Sequence, residues 1–272
     1  MKPIALQLLS ADPIRSSLRS LARYRTGFRL LNSLSNPRRV FGSFGEAGSV
    51  CKKLQPASHE NPKLVKSNFW LSVKTRPSDY PVLFWLNRIK LSEGLKLFDF
   101  GGGIGQTCYQ YSRFLQTARL TQWTVMDLPE VIAGRDVAME KRISKIKFTS
   151  SLQDCIGSNV FLAAGSLHYW ERPIADLAEA LSGFPPHVFI NRSPTRQKGQ
   201  SFVSIQRGAY WALPCLVRSA EELENEFGQL GYELVDKWSV LEKTLEFPLL
   251  PDYVAPYAGF YLRRKDLQAE QA

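Results

Sequence analysis

Four glycines fall within positions 101–105, directly after the apolar run LKLFDF at 95–100. The apolar residues that follow recur at the spacing of one helix face: Ile104, Cys108, Tyr111 and Leu115. A short strand, a glycine-rich turn and a helix in this order are typical of the first unit of a parallel α/β sheet. Ligands of such sheets bind beyond the carboxyl ends of the strands, so we expect a ligand at these glycines.

The same alternation continues to the end of the chain. Six further segments read as strands: QWTVMD, KIKFTS, NVFLAAG, HVFINR, YELVDKWSV and YAGFYLRR. Helices are predicted after Pro129, over 173–182 and after Ser219, where Glu222 three residues on completes a capping box. Gly231 is placed to end that last helix. We therefore predict an α/β fold with a mostly parallel, seven-stranded sheet and helices on both faces.

Charge divides the chain into an appendage and a main domain. The net charge is +10, and residues 1–40 hold eight basic residues against one acid, which is +7 of it. The main domain is therefore not a broad basic surface for nucleic acid. We assign 1–78 to a basic, mainly helical N-terminal appendage, 79–265 to the main domain and 266–272 to a polar tail.

The N-terminal arm allows three interpretations. Arginines recur every four residues from Arg15 to Arg23, and the other side of this helix carries Leu18, Leu21 and Ala22. Such a helix either packs on the main domain or lies on an anionic membrane. Its Arg and Ser content also resembles an organellar transit peptide. No run approaches the roughly 20 apolar residues of a membrane span. We expect a cytoplasmic protein, with peripheral contact at the inner face of the membrane as the sharper alternative.

Cysteine and histidine content bears on metal and disulfide chemistry. The four cysteines are far apart and form no C-x-x-C pair, which argues against a zinc site and for a reducing compartment. The three histidines, His59, His168 and His187, are equally scattered. We expect no metal.

Two glycine motifs compete for the ligand. A dinucleotide fingerprint, G-x-G-x-x-G, fails because Gln106 stands where the third glycine belongs. The pattern acid-x-G-x-G-x-G is satisfied by Asp99, Gly101, Gly103 and Gly105. This pattern resembles the first motif of class I S-adenosylmethionine (SAM) methyltransferases. The resemblance implies that the glycines admit the methionine part of the cofactor and that the acid suits its positive charge.

A second acid strengthens the cofactor hypothesis. Asp127 ends the second predicted strand, 22 residues after Gly105. A carboxylate there can accept hydrogen bonds from ribose hydroxyls. The alternative role is a helix cap ahead of Pro129, and both roles can hold together.

The order of motifs extends the resemblance over residues 97–171. DFGGGIG, MDLPEVI and LHYW resemble the motifs of plant-type O-methyltransferases. FGSFGEA, SFVSIQRG and GYELVDKW add a similarity to bacterial methyltransferases found among surface-polysaccharide genes. The resemblance implies a Rossmann-like class I methyltransferase fold and His168 as general base. The plant-type enzymes have an acid after this histidine, and here Tyr169 replaces it.

The expected cofactor site is completed by residues that follow the second, third and fourth strands: Leu128, Ser151, Leu152 and Gly165. The segment 193–218 carries four cations, Arg196, Lys198, Arg207 and Arg218, and is expected to cover an anionic acceptor.

The expected function is SAM-dependent O-methylation of a glycan, nucleotide sugar or related small molecule. One alternative is an NAD(P)-dependent oxidoreductase, disfavoured by Gln106. A non-catalytic SAM-binding scaffold is another. The chain has AAGSLHYW where nucleic-acid amino-methyltransferases carry a Pro-Pro-aromatic motif, so no nucleic-acid substrate is expected.

Overall fold

The computed structural model describes residues 12–35, 39–54, 74–115, 119–134, 145–207, 211–247 and 249–268. These ranges contain the helices α1 Asp12–Ala22, α2 Arg25–Leu34, α3 Phe44–Leu54, α4 Asp79–Arg88, α5 Gln106–Tyr111, α6 Pro129–Ala133, α7 Ile174–Ala180 and α8 Ala220–Gln229. They also contain the strands β1 Leu95–Phe100, β2 Leu120–Met126, β3 Ile146–Thr149, β4 Val160–Ala164, β5 His187–Arg196, β6 Phe202–Arg207, β7 Ala212–Ser219, β8 Tyr232–Leu245 and β9 Ala255–Arg264. His59, one of the three histidines considered as metal ligands, lies outside the described residues.

The main sheet has seven strands in the order β3-β2-β1-β4-β5-β9-β8. The first five pair in parallel, and β9 runs antiparallel to both β5 and β8. Strand order reverses between β1 and β4, which is where ligands bind in doubly wound sheets. The predicted mostly parallel sheet and its Rossmann-like fold are thus confirmed by the strand order.

Alternate residues of the strands build two separate cores. On one face Phe98 and Phe161 pack with α7 and α8, in a cluster that includes Leu177 and Phe227. On the other face, Leu97 packs with the buried side chains of α4 and α5. Because successive strand residues point to opposite faces, the apolar runs with little polar interruption bury both sides of the sheet.

A hairpin of β6 and β7 was not predicted. The segment expected to cover the acceptor site instead continues β5 to Arg196 and then folds into this antiparallel pair. Pro214 lies inside β7 and pairs with Ile205, and a proline within an apolar run argues against a strand when the sequence is read alone. Helix α3 covers the hairpin through Ala47 and Cys51.

The N-terminal arm packs on the main domain. Leu31 is buried among residues of β7, β8 and β9, and the Phe28 ring lies 5.6 Å from the Tyr253 ring. An ion pair of 3.1 Å joins Arg19 to Asp252. The docked-helix interpretation therefore holds for α1 and α2. Truncation of the arm would expose the core that Leu31 covers, so the arm is not a dispensable tail.

All four cysteines, Cys51, Cys108, Cys155 and Cys215, are buried free thiols. None of the described helices has the length and apolar character to cross a bilayer.

Candidate functional site

The glycine loop follows β1 and is fixed to the end of β2. The backbone nitrogens of Gly101 and Gly102 both donate to the carbonyl of Met126, at 2.8 and 3.2 Å. Gly101, Gly103 and Gly105 have φ angles of +65°, +62° and +88°, which residues other than glycine adopt only at an energetic cost. The loop therefore reverses the chain tightly at the carboxyl edge of the sheet.

Asp127 joins this loop, as its position after β2 predicts. Its Oδ2 accepts a hydrogen bond of 2.7 Å from the Gly103 nitrogen, and its Oδ1 accepts one of 2.8 Å from the Leu128 nitrogen. Burial raises the pKa of this half-buried carboxyl, and the two backbone bonds oppose that rise. Leu128 is the residue that caps α6, so the Asp127 carboxylate links the glycine loop to the start of this helix.

Asp99 lies beneath the loop and not on its surface. It is fully buried, and a Cβ on Gly102 would come within 2.6 Å of its Cγ. Trp123 donates to Oδ2 at 3.1 Å, while Oδ1 has no hydrogen-bond partner in the described part of the chain. Burial raises the pKa of Asp99 to about 7, with Asp127 adding to the rise and Trp123 and Arg192 opposing it.

The raised pKa of Asp99 predicts a pH-dependent stability. The folded-state pKa of about 7 exceeds the ordinary value of 3.8, so the folded protein binds the extra proton between these values. The stability contribution is full at low pH and is lost as pH rises through 7. We expect Asp99→Asn to remove this loss, which reaches at most ~4 kcal/mol.

Urea unfolding at pH 5 and pH 8 measures this effect. The wild-type chain should lose more stability between the two pH values than Asp99→Asn does. Partly exposed Asp154 pairs with Lys147 at the surface, so Asp154→Asn is the control. Parallel pH profiles for the wild type and Asp99→Asn would contradict the assignment.

The other predicted cofactor residues lie at the same edge of the sheet. Leu128 is 49% exposed after β2, and exposed Ser151 precedes a 3-10 turn after β3. Leu152 is partly buried against the core instead of standing free. Gly165 ends β4 with a φ of +89°, and a Cβ there would approach Arg192 at 3.9 Å. The topology therefore groups these residues at one edge, around the loop.

Ser166 is a loop neighbour that the sequence analysis missed. Its hydroxyl donates to the carbonyl of Phe100, and its Cβ would collide with a Cβ on Gly101. Ser166 thus closes the side of the loop that faces β4, and Gly101 is required for this close approach.

His168 lies in the 3-10 turn Leu167–Tyr169 after β4 and is 1% exposed. Its ring centroid is 4.3 Å from that of Tyr169 and 6.4 Å from that of Tyr257. The Tyr169 hydroxyl donates to Gln206 Oε1 at 2.6 Å, and Gln206 donates in turn to the Tyr257 hydroxyl. Where the plant-type motif has an acid, this chain therefore builds an aromatic and amide network around the histidine.

A buried ion pair between Asp79 and Arg192 stands beside the loop helix. Asp79 is fully buried at the start of α4, and Arg192 lies at a register shift in β5 with a φ of +55°. Arg192 also donates to the Ala164 carbonyl at 3.3 Å. The pair thus fixes the end of β4 relative to α4.

Further side chains donate hydrogen bonds to the Asp79 carboxylate. Tyr111 donates to Asp79 Oδ1 at 2.9 Å, and Gln110 donates to Oδ2 at 2.6 Å. Both donors belong to α5, the helix that starts at the glycine loop. The network therefore ties the loop helix to the ends of β4 and β5.

The cations expected to bind an anionic acceptor are partly used elsewhere. Buried Arg218 donates to the carbonyls of Trp170 and Arg172, at 3.2 and 2.7 Å. The Arg196 guanidinium lies 4.7 Å from the centre of the Tyr253 ring. These two arginines hold structure together, so the predicted four-cation cluster is not assembled.

No protein-family model matches the sequence, and no curated protein matches it. Solved structures that are similar in fold include methyltransferases. The 1,6-didemethyltoxoflavin-N1-methyltransferase of Burkholderia thailandensis, with S-adenosylhomocysteine bound, is 16% identical, with a TM-score of 0.48 over 85% of this chain and 97% of its own.

Two further likenesses are of the same kind. Magnesium protoporphyrin IX methyltransferase from Synechocystis, with SAM bound, is 13% identical, with a TM-score of 0.43 over 75% of this chain and 80% of its own. A SAM-dependent methyltransferase from Mesorhizobium loti is 14% identical, with a TM-score of 0.45 over 69% of this chain and 98% of its own. At these identities and scores, the fold assignment rests on the strand order.

Proposed function

We propose that this chain is a SAM-dependent methyltransferase that methylates a hydroxyl oxygen of a glycan, nucleotide sugar or related small molecule. The observation that carries the proposal is the contact between Asp127 and the Gly103 nitrogen. It brings the acid after β2 against the acid-x-G-x-G-x-G loop after β1, at the edge where α/β sheets bind ligands.

The loop residues fit the cofactor in shape and charge. The three atoms nearest to a Cβ on Gly103 all belong to the flexible side-chain amide of Gln106, at 2.6 to 3.3 Å, so no backbone atom lies closest to this side of the loop. The half-buried Asp127 carboxylate suits ribose hydroxyls. Buried Asp99 adds negative charge beneath the loop when it is ionised, above its pKa of about 7, and this charge favours a cationic ligand. Leu128, Ser151, Leu152 and Gly165 would complete the adenosine and methionine contacts.

When bound, the cofactor would supply an activated methyl carbon, and the protein would supply alignment and a base. The loop and Asp127 would hold the cofactor in one orientation, which favours in-line attack. His168 would accept the acceptor hydroxyl proton on a ring nitrogen. Its burial against Tyr169 and Tyr257 would keep the ring in place and exclude water.

The oxidoreductase alternative has less support. Gln106 begins α5, and its Oε1 accepts a bond of 3.1 Å from the Ile104 nitrogen, where a dinucleotide motif would bring a glycine close to the sheet. Parallel titrations with S-adenosylhomocysteine and NADH discriminate the two. Binding of NADH alone would favour the oxidoreductase.

Asp127→Ala is expected to weaken S-adenosylhomocysteine binding by roughly 1 to 3 kcal/mol, because a charged hydrogen-bond partner is lost. Isothermal titration calorimetry measures the change. Glu130→Ala is the matched control, since Glu130 is an exposed acid three residues further on. Equal affinity of Asp127→Ala and the wild type would place the ligand elsewhere.

A second candidate property is peripheral binding to anionic membranes at the cytoplasmic face. The supporting observation is apolar exposure at α2. Tyr24, directly before the helix, is 68% exposed, and Leu30 and Leu34 within it are 55% and 62% exposed. The opposite face of the helix packs on the main domain. Arg25 and Arg29 lie on the same short helix. Exposed apolar residues beside arginines favour an anionic lipid surface.

Vesicle co-sedimentation tests this property. We expect the wild type to sediment with phosphatidylserine vesicles at low salt and to be released at high salt. The double variant Leu30→Ser and Leu34→Ser should remain in the supernatant. Leu241→Ser removes an apolar side chain that is 85% exposed on β8, so it is the control. Equal sedimentation of all three proteins would exclude a role for α2.

A further inference from the structure

Strand β8 is interrupted close to the carboxyl edge of the sheet. Its pairing with β9 passes from Val240 opposite Tyr257 to Thr244 opposite Pro256, so residues 241–243 bulge out of the ladder. Bulges of this kind commonly redirect side chains beside active sites. Here Glu242 accepts a hydrogen bond from the Ser78 hydroxyl, and the Lys243 ammonium lies 4.5 Å from the centre of the Tyr257 ring.

Positive charge exceeds negative charge around this bulge. Arg192 is neutralised by Asp79, and Asp79 also accepts from the Arg76 backbone nitrogen at 2.8 Å. Within the described residues, neither Arg76 nor Lys243 has a carboxylate oxygen within the 4.0 Å of an ion pair. Two side-chain cations therefore share this region without an acid bonded to either.

The pKa values of these cations respond to the crowding. Partial desolvation of the ammonium lowers the pKa of Lys243 to about 8, with Arg76 and Arg192 lowering it further and Cys215 opposing the shift. The pKa of Arg76 is lowered by the same causes, desolvation and Arg192, while Asp79 and Glu242 oppose the shift. An anion bound between these cations would relieve their repulsion.

The bulge also borders the proposed reaction centre. Tyr257, on which the Lys243 ammonium lies, is the ring that stands 6.4 Å from His168. Arg192 reaches the Ala164 carbonyl beside Gly165, at the expected methionine end of the cofactor site. An anion at Lys243 would therefore be separated from His168 by the Tyr257 ring, which both side chains contact.

We propose that Lys243 and Arg76 bind an anionic group of the methyl acceptor, a phosphate or a carboxylate. The assignment to the acceptor rests on the proposed methyl transfer. It replaces the four cations of 193–218 with a site on the β8 bulge, and it narrows the acceptor to a negatively charged small molecule.

Calorimetric titration with inorganic pyrophosphate and, separately, with citrate tests the site. We expect the wild type to bind one of the two, and Lys243→Gln and Arg76→Gln to weaken that binding by about tenfold or more, the effect of losing a charge-assisted bond. Pyrophosphate binding indicates a phosphate, and citrate binding a carboxylate. The Arg76 and Lys243 side chains are exposed, so both variants should fold.

Lys237→Gln is the matched control. Lys237 lies on the same strand, and its ammonium is 5.2 Å from the centre of the Phe260 ring, but it is paired with Glu224 at 2.9 Å. It should bind the probe as the wild type does. The site is refuted if the wild type binds neither probe or if both site variants bind unchanged.

Titration of the same proteins with S-adenosylhomocysteine keeps the two proposals apart. Loss of anion binding in Lys243→Gln with full S-adenosylhomocysteine binding supports both. Anion binding by a wild type that does not bind S-adenosylhomocysteine refutes the proposed function, and the acceptor role falls with it.

Discussion

Asp79→Ala is expected to lower the free energy of unfolding by about 3 to 5 kcal/mol, the usual cost of removing one partner of a buried ion pair. Arg192 would keep a buried charge with no acid bonded to it. Tyr111 and Gln110 would lose the same acceptor. Urea unfolding at pH 7 measures the loss.

Two further variants show that burial causes the effect. Asp252 pairs with Arg19 at the surface, where both side chains are about half exposed, so Asp252→Ala should cost less than about 1 kcal/mol. Replacing the whole pair, with Asp79→Leu and Arg192→Met together, should recover part of the stability, because no unpaired charge remains. A loss in Asp79→Ala no larger than in Asp252→Ala would contradict the role of the pair.

Gly103→Val is expected to abolish S-adenosylhomocysteine binding while the protein stays folded. The valine side chain would extend from the loop where the cofactor is proposed to bind. Within the protein the atoms nearest to its Cβ belong to the Gln106 amide, which is flexible and can move aside. The φ of +62° adds strain of about 1 to 2 kcal/mol, which the fold should tolerate.

Gly157→Val is the matched control for backbone strain. Gly157 has a φ of +80°, and a Cβ there would meet no atom within 4 Å. Both variants should lose similar stability, but only Gly103→Val should lose the ligand. Calorimetry beside thermal unfolding separates the two effects. Full binding by a folded Gly103→Val variant would remove the loop from the cofactor site.

Local patterns were sufficient to predict the sheet and the glycine loop. The central strands β1 and β4 are short apolar runs, and Gly231, predicted to end α8, has a φ of +86°. Asp127 and Gly103 meet because β1 and β2 are adjacent parallel strands that end at one edge of the sheet, although the contact itself was not predicted. Only one of the two bonds of the predicted capping box forms. The Ser219 hydroxyl accepts a hydrogen bond of 3.5 Å from the Glu222 nitrogen, but the Glu222 carboxylate accepts one from the Ser201 nitrogen instead of the Ser219 nitrogen.

Features made by distant residues could not be predicted in this way. Asp79 and Arg192 are 113 positions apart, so no local sequence pattern predicts their ion pair. The bulge that presents Lys243 depends on the register of β8 against β9. Arg218 was expected to help cover an anionic acceptor, because its sequence neighbours do not show that it bonds the carbonyls of Trp170 and Arg172.

The burial of the cysteines gives the protein four internal reporters of opening. Burial raises the pKa of the Cys108, Cys155 and Cys215 thiols, so in the closed protein they are shielded and protonated. An alkylating reagent can modify them only when the surrounding structure opens. Cys108 lies in α5 directly behind the glycine loop, whereas Cys215 lies in the β6-β7 hairpin. Comparing the labelling rates of Cys108 and Cys215 would show whether the ligand edge of the sheet or the hairpin opens more often.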